Sequence, residues 1–248
     1  MLLSLAATSA SAVIWGTKDG NKHPYVAMII FDVNGSPSWR CSGALLNSRT
    51  VLTAAHCTYG ATGARVWTDS DLRSNNEYPF GGSTSVEGTP HSHPSYNDFA
   101  GFPQTYDVGV VKLSQSINLS KYAKLPSIGE VNTKAKKGRR DNLTVVGYGL
   151  QAVRPSLQAD PVRYYGDPRI INLNNANTGS SNIQITANNG QADGGGSCFG
   201  DSGGPALFKG SNTVAGVGSF VLNKNCVGTG FYYRVDTNAA QSFVRSHM

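Results

Sequence analysis

Short runs of apolar and β-branched residues recur along the chain, each closed off by Gly, Asn, Ser or Pro. YVAMIIFDV (25–33), VGVVKL (108–113), LTVVGYG (143–149), IQIT (183–186), TVAGVGSFVL (213–222) and FYYRV (231–235) are examples. Short strands broken by frequent turn signals build a sandwich or a barrel rather than a helical bundle. Few charges and 29 glycines point the same way. The 248 residues suffice for one large domain or two small ones. No internal repeat or low-complexity tract stands out. Only the tail, DTNAAQSFVRSH, reads as helical, with Asp236 or Thr237 as its cap and Ala240, Phe243 and Val244 facing inward. The basic stretch 127–140 is the best internal boundary. It divides the chain into a short leader (1–12), a first β unit (13–126), a linker (127–140) and a second β unit with the terminal helix (141–248).

The net charge of +6 would attract nucleic acid or heparin-like polymers if it were concentrated. It is mostly scattered. The one cluster, KAKKGRR (134–140), lacks the interleaved aromatics of a base-stacking surface and reads as a solvated linker, so no nucleic-acid partner is expected. Four cysteines without a CxxC pair argue against a zinc cage and for two disulfides formed in an oxidising compartment. The start, MLLSLAATSASA, is apolar and then small, and it ends in the A-x-A pattern of a signal-peptidase site, although no basic region precedes it. No later apolar run approaches the ~20 residues that cross a bilayer. A secreted monomer without a membrane span is expected.

Three segments carry the chemistry. SCFGDSGGPAL (197–207) surrounds Ser202 with residues that let the backbone turn sharply. VLTAAHC (51–57) holds His56, and YDVGVVKL (106–113) places Asp107 at the head of an apolar strand. A serine hydroxyl needs a base to take its proton, and imidazole titrates in the right range. The imidazole in turn needs a buried carboxylate to fix its tautomer. Asp98 is the rival third member, but no apolar strand follows it. The HSH stretch (91–93) has no neighbouring carboxylate or cysteine and reads as a loop. Asn118 and Asn142 begin N-glycosylation sequons.

The chain resembles the chymotrypsin-type (trypsin-like) serine peptidases. TAAHC and GDSGGP are that family's two signature segments, DVGVVKL is similar to its aspartate segment, and GYG (147–149) stands where a Gly-Trp-Gly is usual. The resemblance covers nearly the whole chain after residue 12. It implies an all-β fold of two six-stranded antiparallel β-barrels with the active site in the cleft between them. His56 and Asp107 would come from the first barrel and Ser202 from the second. It pairs Cys41 with Cys57 and Cys198 with Cys226. It makes the N–H groups of Gly200 and Ser202 the oxyanion hole. Asp201 would pair with a freed α-amino group at Val13. The stretch VIWGT (13–17) departs from the usual Ile-Val-Gly-Gly at Trp15, and Ala12 replaces the usual basic residue before the cut.

The resemblance also places Gly196 at the base of the pocket for the residue before the scissile bond. Val221 and Gly230 would form its walls, and Ser219 and Phe220 would pair with substrate backbone. Glycine at the base does not support cleavage after Arg or Lys. Valine at the mouth favours small or medium aliphatic side chains. The expected protein is a secreted serine endopeptidase acting through an acyl-enzyme on proteins or peptides. It needs no metal or cofactor, and protein inhibitors are among its expected partners. The alternative is a catalytically silent binding protein on the same fold that contacts a polyanion or a cell-surface partner.

Overall fold

The computed structural model describes residues 13–135, 143–153, 156–187 and 195–248. The leader 1–12, most of the basic cluster (136–140) and the sequon at Asn142 lie outside them. In chain order the elements are β1 (Thr17–Lys18), β2 (Val26–Val33), β3 (Ser36–Asn47), β4 (Thr50–Thr53), α1 (Ala55–Thr58), β5 (Gly63–Trp67), β6 (Val86–Ser92) and β7 (Gly109–Leu113). They continue with α2 (Glu130–Lys134), β8 (Leu143–Gly147), β9 (Tyr164–Gly166), β10 (Ile170–Asn172), β11 (Asn182–Ala187), β12 (Pro205–Phe208), β13 (Val214–Val221), β14 (Gly228–Arg234) and α3 (Asn238–Ser246).

The apolar runs become strands. VAMIIFDV is buried along nearly its whole length as β2. Asn34 and Gly35, both at positive φ, turn it into β3, as two-residue hairpins of this hand require. β2 to β7 close into an antiparallel six-stranded barrel in the order β2-β3-β4-β7-β6-β5. The second half is one antiparallel sheet, β1-β9-β8-β12-β13-β14-β11-β10. It curls into a half-barrel and has eight strands among the described residues, where six were expected. One of the extra strands comes from far upstream. β1 precedes the first barrel in the chain but pairs with β9, Thr17 opposite Tyr165. Val13 likewise packs into the second core, beside Val145 and Ile185. The N-terminal segment grouped above with the first unit is therefore built into the second.

The C-terminus crosses the other way. Thr237 caps α3 by accepting the Ala240 N–H at 3.2 Å. Ala240, Phe243 and Val244 join the core built mainly from the first barrel. Asp236, the other candidate cap, instead accepts the Val131 N–H and pairs with Arg234. Within the expected linker, Glu130–Lys134 forms the one-turn helix α2, whose Glu130 accepts the Ser127 N–H.

A buried network also crosses the junction. The Arg163 guanidinium, fully enclosed, pairs with the fully enclosed Asp19 at 2.9 Å. It donates as well to the carbonyls of Val26 and Thr68 and to the Tyr148 hydroxyl. With Asn21 Oδ1 accepting from Nη2 as well, each nitrogen of the guanidinium has a partner, which is how a buried pair is tolerated.

Candidate active site

His56 lies on α1, a single turn straight after β4. A disulfide from Cys57 to Cys41 on β3 fixes it, and Trp39 Nε1 donates to the Cys57 carbonyl at 2.9 Å. Asp107 stands just before β7. The two segments approach closely because Gly109 has no side chain; a Cβ there would lie 2.6 Å from the Ala54 carbonyl oxygen. Asp107 is completely buried and accepts the His56 backbone N–H at Oδ1 and the His56 Nδ1 at Oδ2, both at 2.8 Å. The Ser219 hydroxyl, from β13 of the other sheet, donates to Oδ2 at 2.6 Å. With Nδ1 turned to the carboxylate, Nε2 is the ring nitrogen left over, and it lies 3.7 Å from Cys57 Sγ. Burial works against a charged His56, but the charge and hydrogen bond of Asp107, helped by Asp98, outweigh it and raise its pKa. Asp98 is exposed, and Asp107 is the carboxylate bonded to the ring.

Ser202 sits at the head of the turn entering β12. Its carbonyl accepts the Ser42 N–H at 2.8 Å, which ties the turn to β3. Its hydroxyl makes no hydrogen bond among the described residues. Ser202 and His56 line the same cavity of about 300 Å³, together with Ser197, Phe199 and the β13 edge from Gly218 to Val221. The N–H groups of Gly200 and Ser202 donate to nothing among the described residues. Gly200 holds φ at +96°, a conformation in which a side chain is strained.

Asp201 points away from that cavity. Gly149 N–H and Cys198 N–H donate to it at 2.8 and 2.9 Å, and the Val13 N–H also bonds it. Burial pushes its carboxyl up to about 6 against these donors and the nearby Arg40. The GYG stretch earns its glycines here. A Cβ on Gly149 would lie 2.4 Å from the Asp201 carboxyl carbon, and one on Gly147 would be no freer. Beside it the N-terminal segment is anchored by the Gly196 N–H, which donates to the Ile14 carbonyl at 3.0 Å. Trp15, at the position where glycine is usual, is held at φ +67°, a backbone state glycine adopts freely.

The pocket residues divide. Ser219, Phe220 and Val221 line the cavity, whereas Gly196 and Gly230 do not. Gly196 is bridged to Ile14, and a Cβ on Gly230 would lie 2.7 Å from Ser197 Oγ. Ser197 and Phe199 are lining residues that the sequence reading missed, as is Gly218. For the first two, their position on either side of Cys198, which is bonded to Cys226, was the available signal. Phe220 stacks on the buried Phe231 at 4.4 Å and meets Phe99 and Phe102 edge-on. Cys41, His56 and Cys57 are near one another, but both sulfurs are spent in a disulfide and offer no thiolate to a metal. His93 is a packing residue, stacked on Tyr106 and tilted against Phe243. No helix among the described residues is long and apolar enough to cross a membrane.

A family model described as Trypsin matches residues 14–241. The chain is 30% identical to a chymotrypsin of Phaedon cochleariae over 201 residues, covering 79% of this chain and 68% of the relative. It is 29% identical to human chymotrypsin-like elastase family member 1 over 223 residues, covering 86% and 83%. Among solved structures, HL collagenase matches with a TM-score of 0.72 at 24% identity, covering 94% of this chain and 97% of that one. Human heparin binding protein matches at 0.67 and 21% identity, covering 94% and 95%. At such identities the structural likenesses bear on the fold alone. The family match, spanning almost everything from Ile14 to α3, decides the assignment: the chain belongs to the trypsin family of serine endopeptidases.

Proposed function

We propose that the protein is a secreted endopeptidase that cleaves peptide bonds through an acyl-enzyme on Ser202. The observation that carries this reading is the His56–Asp107 pair: a buried carboxylate holding both the backbone and Nδ1 of an imidazole that shares a cavity with Ser202. His56 takes the Ser202 proton as the hydroxyl attacks the carbonyl carbon, then returns it to the leaving amine. Water repeats the sequence and frees the acid. Asp107 orients the ring and stabilises its charged form. The Gly200 and Ser202 N–H groups receive the oxyanion, each such donor supplying roughly 2.7–4 kcal/mol to the transition state. The chain keeps His56, Asp107 and Ser202, whereas silent binding proteins on this fold usually lose one of the three.

The cavity size and Val221 at its wall favour small or medium aliphatic side chains before the scissile bond. Secretion is supported by two disulfides, which persist in oxidising compartments. We assign Val13 and Asp201 to an activation pair. Val13 is fully buried with its N–H already on the Asp201 carboxyl, and a free ammonium there would give that buried acid a counter-ion. N-terminal sequencing of the secreted protein is expected to begin at Val13; another start overturns the pairing.

A fluorophosphonate tests the main reading. Intact mass should show one adduct on the secreted protein and none on Ser202→Ala. A folded, correctly processed protein that takes no adduct would refute the reading.

A further inference from the structure

A second cavity, of about 420 Å³, meets the first at His56, Ser202 and Phe199. It runs the other way, past the Cys41–Cys57 disulfide, and is walled by Trp39, Arg40, Tyr59, Tyr96 and Asp98. The role of the two cavities follows from the chemistry proposed for Ser202, on which this inference rests. The acyl carbonyl must sit with its oxygen at the Gly200 and Ser202 N–H groups. The residue on the acyl side then fills the cavity along β13. The amine that His56 protonates leaves toward Tyr59 and Asp98.

The walls of this second cavity are chemically unlike. On the Gly200 side Arg40 is already engaged. It donates to the Ala159 carbonyl at 3.0 Å, and its Nε lies 3.1 Å from where a Gly200 Cβ would stand. Its charge also acts on Asp201. On the opposite side Tyr59, 55% exposed, meets the buried Tyr96 edge-on at 5.4 Å. Asp98 follows Tyr96 closely in the chain and is exposed. Among the described residues its one hydrogen bond comes from the Tyr96 hydroxyl at a long 3.5 Å. The loop that presents it is pinned on both flanks. Phe99 packs against Tyr96, His56 and Phe220. Asn97 Oδ1 accepts the Gly101 N–H at 3.1 Å. A carboxylate with spare acceptor capacity beside aromatic rings suits a cation on a long apolar stem, through ion pairing and cation–π attraction together.

We propose that Asp98, with Tyr59 and Tyr96, selects substrates with Lys or Arg among the first two residues after the scissile bond. Asp98, which in sequence competes with Asp107 for the place beside His56, is thereby a specificity residue of the leaving-group side. Burial and the nearby carboxylates Asp107 and Asp98 push the Tyr96 phenol up, so its hydroxyl remains a donor at working pH.

The test uses the processed, secreted protein and quenched-fluorescence peptides that share one acyl-side sequence. They carry Lys, Gln or Glu at the first or the second position after the scissile bond. The ratio of kcat/KM for Lys over Gln should be about fivefold at one of these positions, as befits a half-exposed pair on aromatic faces. It should shrink with salt, fall to about one in Asp98→Asn and persist in Asp98→Glu. A Lys/Gln ratio near one at both positions in the wild type, with fluorophosphonate labelling intact, overturns the inference and leaves the peptidase reading standing. So does a preference for Glu, which would assign the cavity to Arg40. A ratio that survives Asp98→Asn overturns it too. Failure of the wild type to label removes the peptidase reading, and this inference with it.

Discussion

Among the described residues are two aspartate–histidine pairs built almost alike. Asp19 accepts the backbone N–H of His23 at 3.1 Å and its Nδ1 at 2.5 Å. Asp107 accepts the same two groups of His56 at 2.8 Å. Both carboxylates are fully buried, and the two imidazoles are exposed to a similar small degree, 16% and 21%. Burial and hydrogen bonding therefore do not separate them. The third partner does. Asp19 faces the Arg163 guanidinium, a permanent cation. Asp107 faces the neutral Ser219 hydroxyl. The charge of Asp19 is answered whatever His23 does. The charge of Asp107 is answered by a cation only when His56 takes a proton. A fixed counter-ion makes one pair a rivet between the halves of the molecule; its lack makes the other ready to stabilise an imidazolium.

Substitutions at the two pairs should fail differently. Asp107→Asn is expected to lower kcat about 10⁴-fold, because an amide leaves the imidazole in the wrong tautomer. Steady-state kinetics on a peptide substrate check it. A loss below about tenfold would show that Asp107 does not orient the base. Arg163→Met should barely touch kcat but cost about 3–5 kcal/mol of stability, since it leaves the Asp19 charge buried without its cation. Burial opposes the Asp19 carboxylate, and His23 and Arg163 together hold its pKa below the usual 3.8. Stability from that depression is present at neutral pH and is lost as the medium falls below 3.8. Urea unfolding of the variant and the wild type measures the cost. An unchanged midpoint, or a kcat loss to match that of Asp107→Asn, would erase the distinction between the pairs.

The sequence told these two pairs apart only in part. His56, Asp107 and Ser202 each sit in a local motif with its own chemical signature, so all three could be named. Asp19 and Arg163 are separated by 144 positions, and neither stands in a pattern. Arg163 is one of many scattered basic residues until folding encloses it. The strands came from apolar runs and α3 from its spacing, with Thr237 as cap. β6, VEGTPHS, carries no apolar run because it is only partly buried. The crossing of β1 into the second sheet is a long-range pairing that no local pattern encodes. Ser197 and Phe199 line the cavity that His56 and Ser202 share, while Gly196 and Gly230 do not, because local spacing fixes which residues are near a pocket and not which way each faces.

The finest test of the comparison is the pH at which activity appears. His56 must be neutral to accept the Ser202 proton, so kcat/KM rises as the pH passes upward through the pKa of His56 in the free enzyme. Burial would place that value low; the Asp107 charge and hydrogen bond, and then Asp98, carry it above the usual 6.5. The acid limb of kcat/KM, measured on a substrate with no charge after the scissile bond, should therefore have its midpoint above 6.5. Asp98→Asn deletes one upward influence, so its midpoint should lie below that of the wild type. The shift should shrink in salt, because Asp98 is exposed and Asp107 is not. A midpoint that does not move would mean that solvent screens Asp98 from the ring and that Asp107 alone lifts His56. A wild-type midpoint below 6.5 would mean that burial wins at His56. The absence of a permanent cation would then not be what sets this pair apart from Asp19 and His23.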